Sequence, residues 1–251
     1  MNDPEIAGAR LAELVDSLTE ALVDLVRTHH VTEAEWYATL AYLGEVAAAD
    51  QLILLSDVLG LSVVVDRQAH GDRRGTASNV LGPFWRPAPE LSNPAELVGD
   101  EAPGERLVVR GVVTAADGRP LVGACLDVWQ CDADGLYDVQ RDDGSTVGHR
   151  GVLTTDADGR YELRTIVPPP YEVPKDGPVG ALLAALGRHA YRPAHIHCKV
   201  TAEGHDELTT MVFFAGDPWL GDDTIGADRP DLTVAIDRTG PVAGAVFDIV
   251  L

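Results

Sequence analysis

Positive charge is scarce in this 251-residue chain: 19 Lys and Arg stand against 40 Asp and Glu, a formal net charge of −21 with histidine neutral. A surface so acidic repels phosphate backbones and anionic lipid headgroups, so no nucleic-acid partner and no membrane is expected, and small molecules or proteins are left as partners. Long hydrophobic runs are missing as well. No uninterrupted apolar stretch approaches the roughly 18 residues that span a bilayer. The opening segment MNDPEIAGAR has no basic region followed by an apolar core, so neither export nor insertion is expected and the cytoplasm is the expected location. Cysteine is sparse: Cys125, Cys131 and Cys198 are odd in number and lack CxxC spacing, which argues against a disulfide framework and for small buried hydrophobes. Internal repeats, a phosphate-binding loop and a dinucleotide fingerprint are absent too.

What is present is the profile of a globular chain. Hydrophobic residues make up 45% and charged residues 24%, with length for one large domain or two modest ones. Leu11, Leu14, Leu18, Leu22 and Leu25, with Val15 and Val26 beside them, recur at three and four residues and predict a helix with one apolar stripe. Thr32 followed by Glu35 is a capping-box spacing that opens a second helix through Trp36, Leu40 and Leu43. A third apolar stretch, 51–65, is broken at Gly60. Within it Asp57 stands among Leu54, Leu55, Val58 and Leu59; from its own neighbourhood it reads as a carboxylate at the edge of a core.

From His70 the texture changes. HGDRRGTASN is a polar connection and GPFWRPAPELSNP is rich in proline and aromatics, as a linker is. Beyond Arg106 the helical period gives way to β-type runs at 107–114, 124–130, 159–166, 196–201, 208–214 and 246–251, several of them separated by Asp-Gly turns. That pattern predicts an antiparallel sandwich or barrel, with one short helix inside a long excursion at 176–187. The expected class is α+β: a helical part at 1–75, a linker at 76–106 and a β-sandwich at 107–251.

Chemistry concentrates at Arg192-Pro193-Ala194-His195-Ile196-His197. If Ile196 lies in a strand, His195 and His197 project to one face, because side chains alternate with period two, and two imidazoles on one face can chelate a metal. A bare HxH is also what two sheet-surface histidines look like, so further ligands decide the matter. Glu203 follows at about the distance of a cupin-like third ligand, although the spacing is long and the glycine pattern is absent. Tyr171, in a run of prolines that holds the loop extended, and Tyr137, just past a strand and turn, are the other donors. Two tyrosines with two histidines make a specific kind of site. A trivalent cation holds phenols as phenolates, and hard anionic oxygens favour Fe(III), whereas zinc and calcium have no comparable need for them. Such a centre suits a substrate with two adjacent phenolic oxygens.

These residues resemble the intradiol ring-cleaving dioxygenases, non-haem iron enzymes that open catechols between the two hydroxyls. The resemblance runs through Leu54-Leu55-Ser56-Asp57-Val58-Leu59-Gly60, Val80-Leu81-Gly82-Pro83-Phe84 and nearly everything from Val128 to Asp217. Val128-Trp129-Gln130 with Gly135-Leu136-Tyr137-Asp138-Val139-Gln140, and Gly187-Arg188-His189 before Arg192, most resemble the branch that cleaves hydroxyquinol. The resemblance implies Fe(3+) as cofactor with Tyr137, Tyr171, His195 and His197 as ligands. It makes Tyr171 the ligand that yields to substrate and takes up its proton, and it sets Arg192 over the substrate ring. The implied pocket walls are Leu54, Asp57, Val80, Gly82, Pro83, Phe84, Val173, Pro174 and Val212. On that reading Asp57 accepts a hydrogen bond from a third substrate hydroxyl, which favours hydroxyquinol over catechol. Met211, Cys198 and Trp219 depart from the residues common in catechol-cleaving relatives. The helical part resembles the region through which such enzymes form homodimers, with a lipid sometimes held between subunits. Gly111–Cys125 also resembles transthyretin-like modules, which serve binding rather than catalysis.

Overall fold

The computed structural model describes residues 8–141 and 148–251. Residues 1–7, which belong to the opening segment and to the expected helical part, lie outside the described residues. The chain divides into two compact units, Met1–Ala49 and Asp50–Leu251.

The first unit is helical. Its helix α1 (Gly8–Thr28) carries the predicted leucine stripe, yet no residue of α1 is buried within the chain. After Thr32 comes α2 (Glu33–Ala48), which starts on the predicted capping box: the Glu35 amide donates to Thr32 Oγ1 at 3.3 Å and the Thr32 amide donates to Glu35 Oε2 at 2.8 Å. Two of the four orphan donors at the helix start are satisfied in this way. Among the described residues no single helix is long and apolar enough to cross a membrane.

The second unit opens with α3 (Leu52–Val58) and α4 (Leu61–His70), separated at Gly60, whose φ of +74° is the left-handed conformation that glycine adopts without a Cβ clash. Then follow β1 (Ala95–Glu96), β2 (Arg106–Thr114), β3 (Cys125–Trp129), β4 (Arg150–Thr154), β5 (Arg160–Ile166) and β6 (Tyr171–Glu172). The chain ends with α5 (Pro178–Ala185), β7 (Tyr191–Arg192), β8 (His195–Thr201), β9 (Leu208–Phe214), β10 (Thr233–Val234), β11 (Ala243–Val246) and β12 (Ile249–Val250). Although they sit within residues 1–75, α3 and α4 thus belong to the β-rich unit. Arg188 donates to the Val58 carbonyl at 2.8 Å and Arg67 to the Gly226 carbonyl at 3.2 Å, tying both helices to later loops.

Two five-stranded sheets make the sandwich. One runs β1-β5-β2-β11, with β12 also on β2; the other runs β10-β9-β8-β3-β4. The inner ladders are antiparallel as expected, while the short strands β1, β10, β11 and β12 join in parallel, β12 continuing along β2 two residues after β11. The predicted strand at 246–251 is interrupted because Asp248 Oδ1 accepts the Val112 amide at 2.9 Å in place of a ladder carbonyl. Strand β4 was not expected; its five residues pair with β3.

Register decides what each face of the second sheet carries. Trp129, His197 and Met211 lie in line across β3, β8 and β9, with His195 opposite Phe213. The alternate residues Leu126, Val128, Ile196, Cys198, Val200 and Val212 point the other way. That second set is apolar and buried against the partner sheet, where Cys198 lies near Tyr161 of β5. The histidine face is buried too, under the linker: Trp85 Nε1 donates to Asp127 at 2.8 Å and Lys199 Nζ sits 5.0 Å from the Trp85 ring centroid.

Candidate metal centre

Four side chains from three places converge on the buried face of β8. His195 and His197 come from alternate positions of the strand, and their Nε2 atoms are 3.2 Å apart. Tyr137, which follows the Gly135 turn after β3, sets its hydroxyl 3.4 Å from His195 Nε2. Tyr171 comes from β6 in the proline-rich loop, its ring edge-on to Tyr137 with centroids 5.4 Å apart. Neither tyrosine is more than 4% exposed and each histidine is 1% exposed.

Local bonding fixes the state of these groups. His195 Nδ1 lies 2.7 Å from the Pro193 carbonyl, which only accepts, so Nδ1 carries the proton. Burial, and then the Arg192 charge, hold His195 well below the ordinary imidazole range; burial, then His195 and Arg192, do the same to His197. A neutral His195 protonated at Nδ1 leaves Nε2 with a bare lone pair aimed at the cluster, the arrangement by which a second interaction selects the tautomer of a metal ligand. His197 Nδ1 is buried without a partner, and the ring is held instead by Trp129, stacked on it at 4.7 Å and 9°. Burial also lifts both phenols above their ordinary pKa, so without a cation they are neutral. Two imidazole nitrogens and two phenol oxygens around one buried point suit a hard, highly charged cation that ionises the phenols. Among the described residues no group of three His, Cys, Asp or Glu side chains is placed to hold a metal. Glu203 in particular is exposed in the turn beyond the end of β8, whose last residue, Thr201, is already about 13 Å along the strand from His197 at about 3.3 Å per residue. The cupin-like ligand set is therefore corrected: the strand that brings the histidines together carries Glu203 away.

Arg192 is no surface ion pair. It is 3% exposed, and its guanidinium bridges Asp223, by Nε and Nη2 at 3.2 Å each, to the donors, with Nη1 3.4 Å from Tyr171 Oη and 3.2 Å from His195 Nε2. Burial opposes its charge, but Asp223 more than offsets this and holds it protonated. Met211 Sδ accepts the second Nη2 contact at 3.5 Å.

The predicted walls divide. Phe84 stacks on Tyr137 with centroids 4.5 Å apart, and a Cβ on Gly82 would stand 3.5 Å from His197 Cε1, so the linker closes over the centre. Val80 is buried and Pro83 exposed on the same segment. Asp57 is only 4% exposed and feels the charges of Arg192 and Asp223; Leu54 lies one turn before it on the same face of α3. Val173 and Pro174 line a groove of about 460 Å³ that also reaches Tyr171. Val212 does not join them. It pairs with Ile196 and, by strand alternation, faces the sandwich interior, opposite to the histidines.

Residues 80–251 match the family model described as Dioxygenase, and residues 8–77 match the one described as Catechol dioxygenase N terminus. The chain belongs to the intradiol ring-cleavage dioxygenases. These are oxidoreductases of a family that uses iron. The 6-chlorohydroxyquinol 1,2-dioxygenase of Cupriavidus pinatubonensis is 43% identical over 232 residues, 90% of this chain and 84% of that protein. A hydroxyquinol 1,2-dioxygenase of Rhizobium is 40% identical over 237 residues, 91% of this chain and 80% of that protein. Among solved structures, the 3-chlorocatechol 1,2-dioxygenase of Rhodococcus opacus superposes with a TM-score of 0.92 at 36% identity, covering 97% of this chain and 98% of that one. Intradiol dioxygenase membership over both segments replaces the transthyretin-like reading of Gly111–Cys125.

Sequence reasoning missed three supports of this dioxygenase centre. Asp223 clamps Arg192. Trp129 backs His197. Asp138, next to Tyr137, accepts from Arg86 Nη2 at 2.6 Å and from Arg150, while Arg150 Nη2 also donates to the Phe84 carbonyl at 3.0 Å. Arg150 thus ties the Tyr137 turn to the residue stacked on its ring. Only Asp138, adjacent to a candidate ligand, carried a local signal.

Proposed function

We propose that this chain opens a 1,2-dihydroxylated aromatic ring, hydroxyquinol first, between the two hydroxyl-bearing carbons. Both atoms of O₂ enter a cis,cis-muconate-type dicarboxylate, as in the degradation of aromatic compounds. The proposed ligands of a single iron are Tyr137, Tyr171, His195 and His197. The observation that carries the reading is the convergence of two buried phenols on two imidazoles, one of them with its tautomer set by Pro193. When bound, Fe(III) supplies Lewis acidity, holding phenols as phenolates and withdrawing electron density from a chelated diolate.

The chain supplies the rest. Tyr171, whose backbone is tied into the fold by a two-residue strand in a proline loop, is the group that swings, and its Oη is the acceptor for a substrate proton. Arg192 donates to that oxygen and sets a permanent cation beside the ring, where negative charge grows as the diolate turns toward its keto form. Leu54, Val80, Phe84 and Val173, all buried, supply the apolar wall that excludes water, with Gly82, Pro83 and Pro174 beside them, and Asp57 accepts the third hydroxyl of hydroxyquinol. If Asp57→Ala leaves the hydroxyquinol-to-catechol ratio of kcat/KM unchanged, that role is wrong. Chlorocatechol and catechol are the alternative substrates, favoured by the relatives named for them.

We further propose a cytoplasmic homodimer formed through residues 1–75, with 76–106 as linker and 107–251 as the catalytic part. The exposed leucines of α1 support that interface and a lipid held among them. Iron analysis, product identification on a panel of hydroxyquinol, catechol and chlorocatechols, and sedimentation with lipid extraction test these statements. A protein that binds no iron, or that releases an extradiol aldehyde, overturns the main one.

A further inference from the structure

Positive charge, so scarce in this chain, gathers in a small pocket whose lining is separate from the candidate metal ligands. Arg67 of α4, Arg73 just beyond it and Arg229 before the Pro230–Leu232 turn line one pocket of about 150 Å³, together with His70, Ser78 and Asp231. Most of the other groups there are already engaged. Asp231 takes both N–H bonds of Arg229, each at 2.9 Å. Asp66, beside the rim, faces His70 Nδ1 at 3.0 Å with one oxygen and accepts Ser78 Oγ at 2.8 Å with the other. Arg67 donates once, to the Gly226 carbonyl.

Arg73 is different. Among the described residues its side chain has no hydrogen bond or ion pair, its amide alone donating to the His70 carbonyl at 3.0 Å, and its Nε is buried without an acceptor. A guanidinium stays charged at every working pH, and burying its N–H against two like charges is unfavourable unless an acceptor completes it. Among the described residues no carboxylate pairs with Arg73, and Asp231, which shares the pocket, is taken up by Arg229. Two guanidinium forks with free donors, beside a third neutralised by Asp231, match the planar or tetrahedral oxygens of one anion. The volume equals about five waters at roughly 30 Å³ each, well short of the roughly 300 Å³ of sites for drug-sized ligands, so a nucleotide is too large.

We propose that Arg67, Arg73 and Arg229 form a binding site for a compact oxyanion, a phosphate or a short dicarboxylate. The site shares its backing with the catalytic unit: Arg67 holds Gly226, Asn79 next to Ser78 donates to the Ala227 carbonyl at 2.8 Å, and the Ala227 amide donates to Asp223 at 3.2 Å. An anion bound there braces the turn that clamps Arg192.

The test is titration of the full-length protein with inorganic phosphate, and separately with maleate, at ionic strength held constant with chloride, read by calorimetry and by the unfolding midpoint. The expected result is saturable binding of at least one anion with a rise in the midpoint, weakened at least tenfold by Arg73→Gln and unchanged by Arg160→Gln, an exposed β5 arginine outside the pocket. The anion that binds identifies the source, phosphate or carboxylate. Arg67→Gln, on a helix surface, repeats the measurement if Arg73→Gln does not fold. Absence of saturation with both anions, or binding that is undiminished in the arginine variants, overturns the site.

Discussion

Asp223 receives Arg192 side-on, Nε to Oδ1 and Nη2 to Oδ2 at 3.2 Å each, with the two side chains 0% and 4% exposed. The same carboxylate accepts the Ile225 and Ala227 amides, so the turn itself prebuilds the clamp. Removing one partner of such a pair strands the other charge in the interior, at a cost of about 3–5 kcal/mol. Asp223→Ala is expected to lose stability on that scale in urea unfolding and to lower kcat, with Asp223→Asn between it and the wild type. Wild-type stability in Asp223→Ala contradicts the clamp.

The iron-loaded protein is expected to be coloured by phenolate-to-iron(III) charge transfer. Tyr137→Phe and Tyr171→Phe each remove one phenolate donor and are expected to shift or weaken the visible band. His195→Ala and His197→Ala are expected to lower the iron content measured by elemental analysis. A band identical to wild type in both tyrosine variants excludes this ligand set.

Gly82 adopts a φ of +73° at the point where the linker passes the His197 ring. A Cβ there meets His197 Cε1 at 3.5 Å, an ordinary contact, so backbone conformation dominates and Gly82→Ala is expected to cost about 1–2 kcal/mol. The loss is read as a lower denaturant midpoint. Unchanged stability means the linker does not hold this conformation.

Burial lifts the Asp57 carboxyl above its ordinary value, against the opposing pull of Ser62 and Arg192. The folded protein therefore keeps this proton in a window above pH 3.8 where the unfolded chain releases it, and the contribution of Asp57 to stability falls as pH rises through that window. Asp57→Asn is expected to be more stable than wild type at neutral pH, with the difference vanishing as pH falls below 3.8. Parallel stability curves for the two proteins contradict a raised Asp57.

The parts of the centre legible in the sequence are those whose geometry is local. The HxH pair needed only the strand period, and Tyr137 and Tyr171 stood next to turn and proline signals that present a side chain. Strand β4 was illegible because its five residues are short and contain Gly151, whose missing side chain leaves room for Leu91. Asp223 was illegible for another reason: it lies 31 positions from Arg192, beside Asp222 in a stretch with no pattern of its own, and only folding brings the two together. Val212 was misread because its face depends on the register between β8 and β9, which no single-strand pattern contains. Asp57 read as an edge carboxylate from its own helix, and the chain folds other charges around it.

Strand β8 serves two masters. Ile196 and Cys198 fill the space between the sheets while His195 and His197 face the opposite way, and ladders to β3 and β9 lock that parity from both sides. A slip of one residue exchanges the two sets, burying imidazoles among aliphatics and turning Ile196 toward the phenols. The hydrophobic core thereby acts as a proofreader of the donor set: a chain that packs its sandwich correctly has, by the same act, aimed its imidazoles.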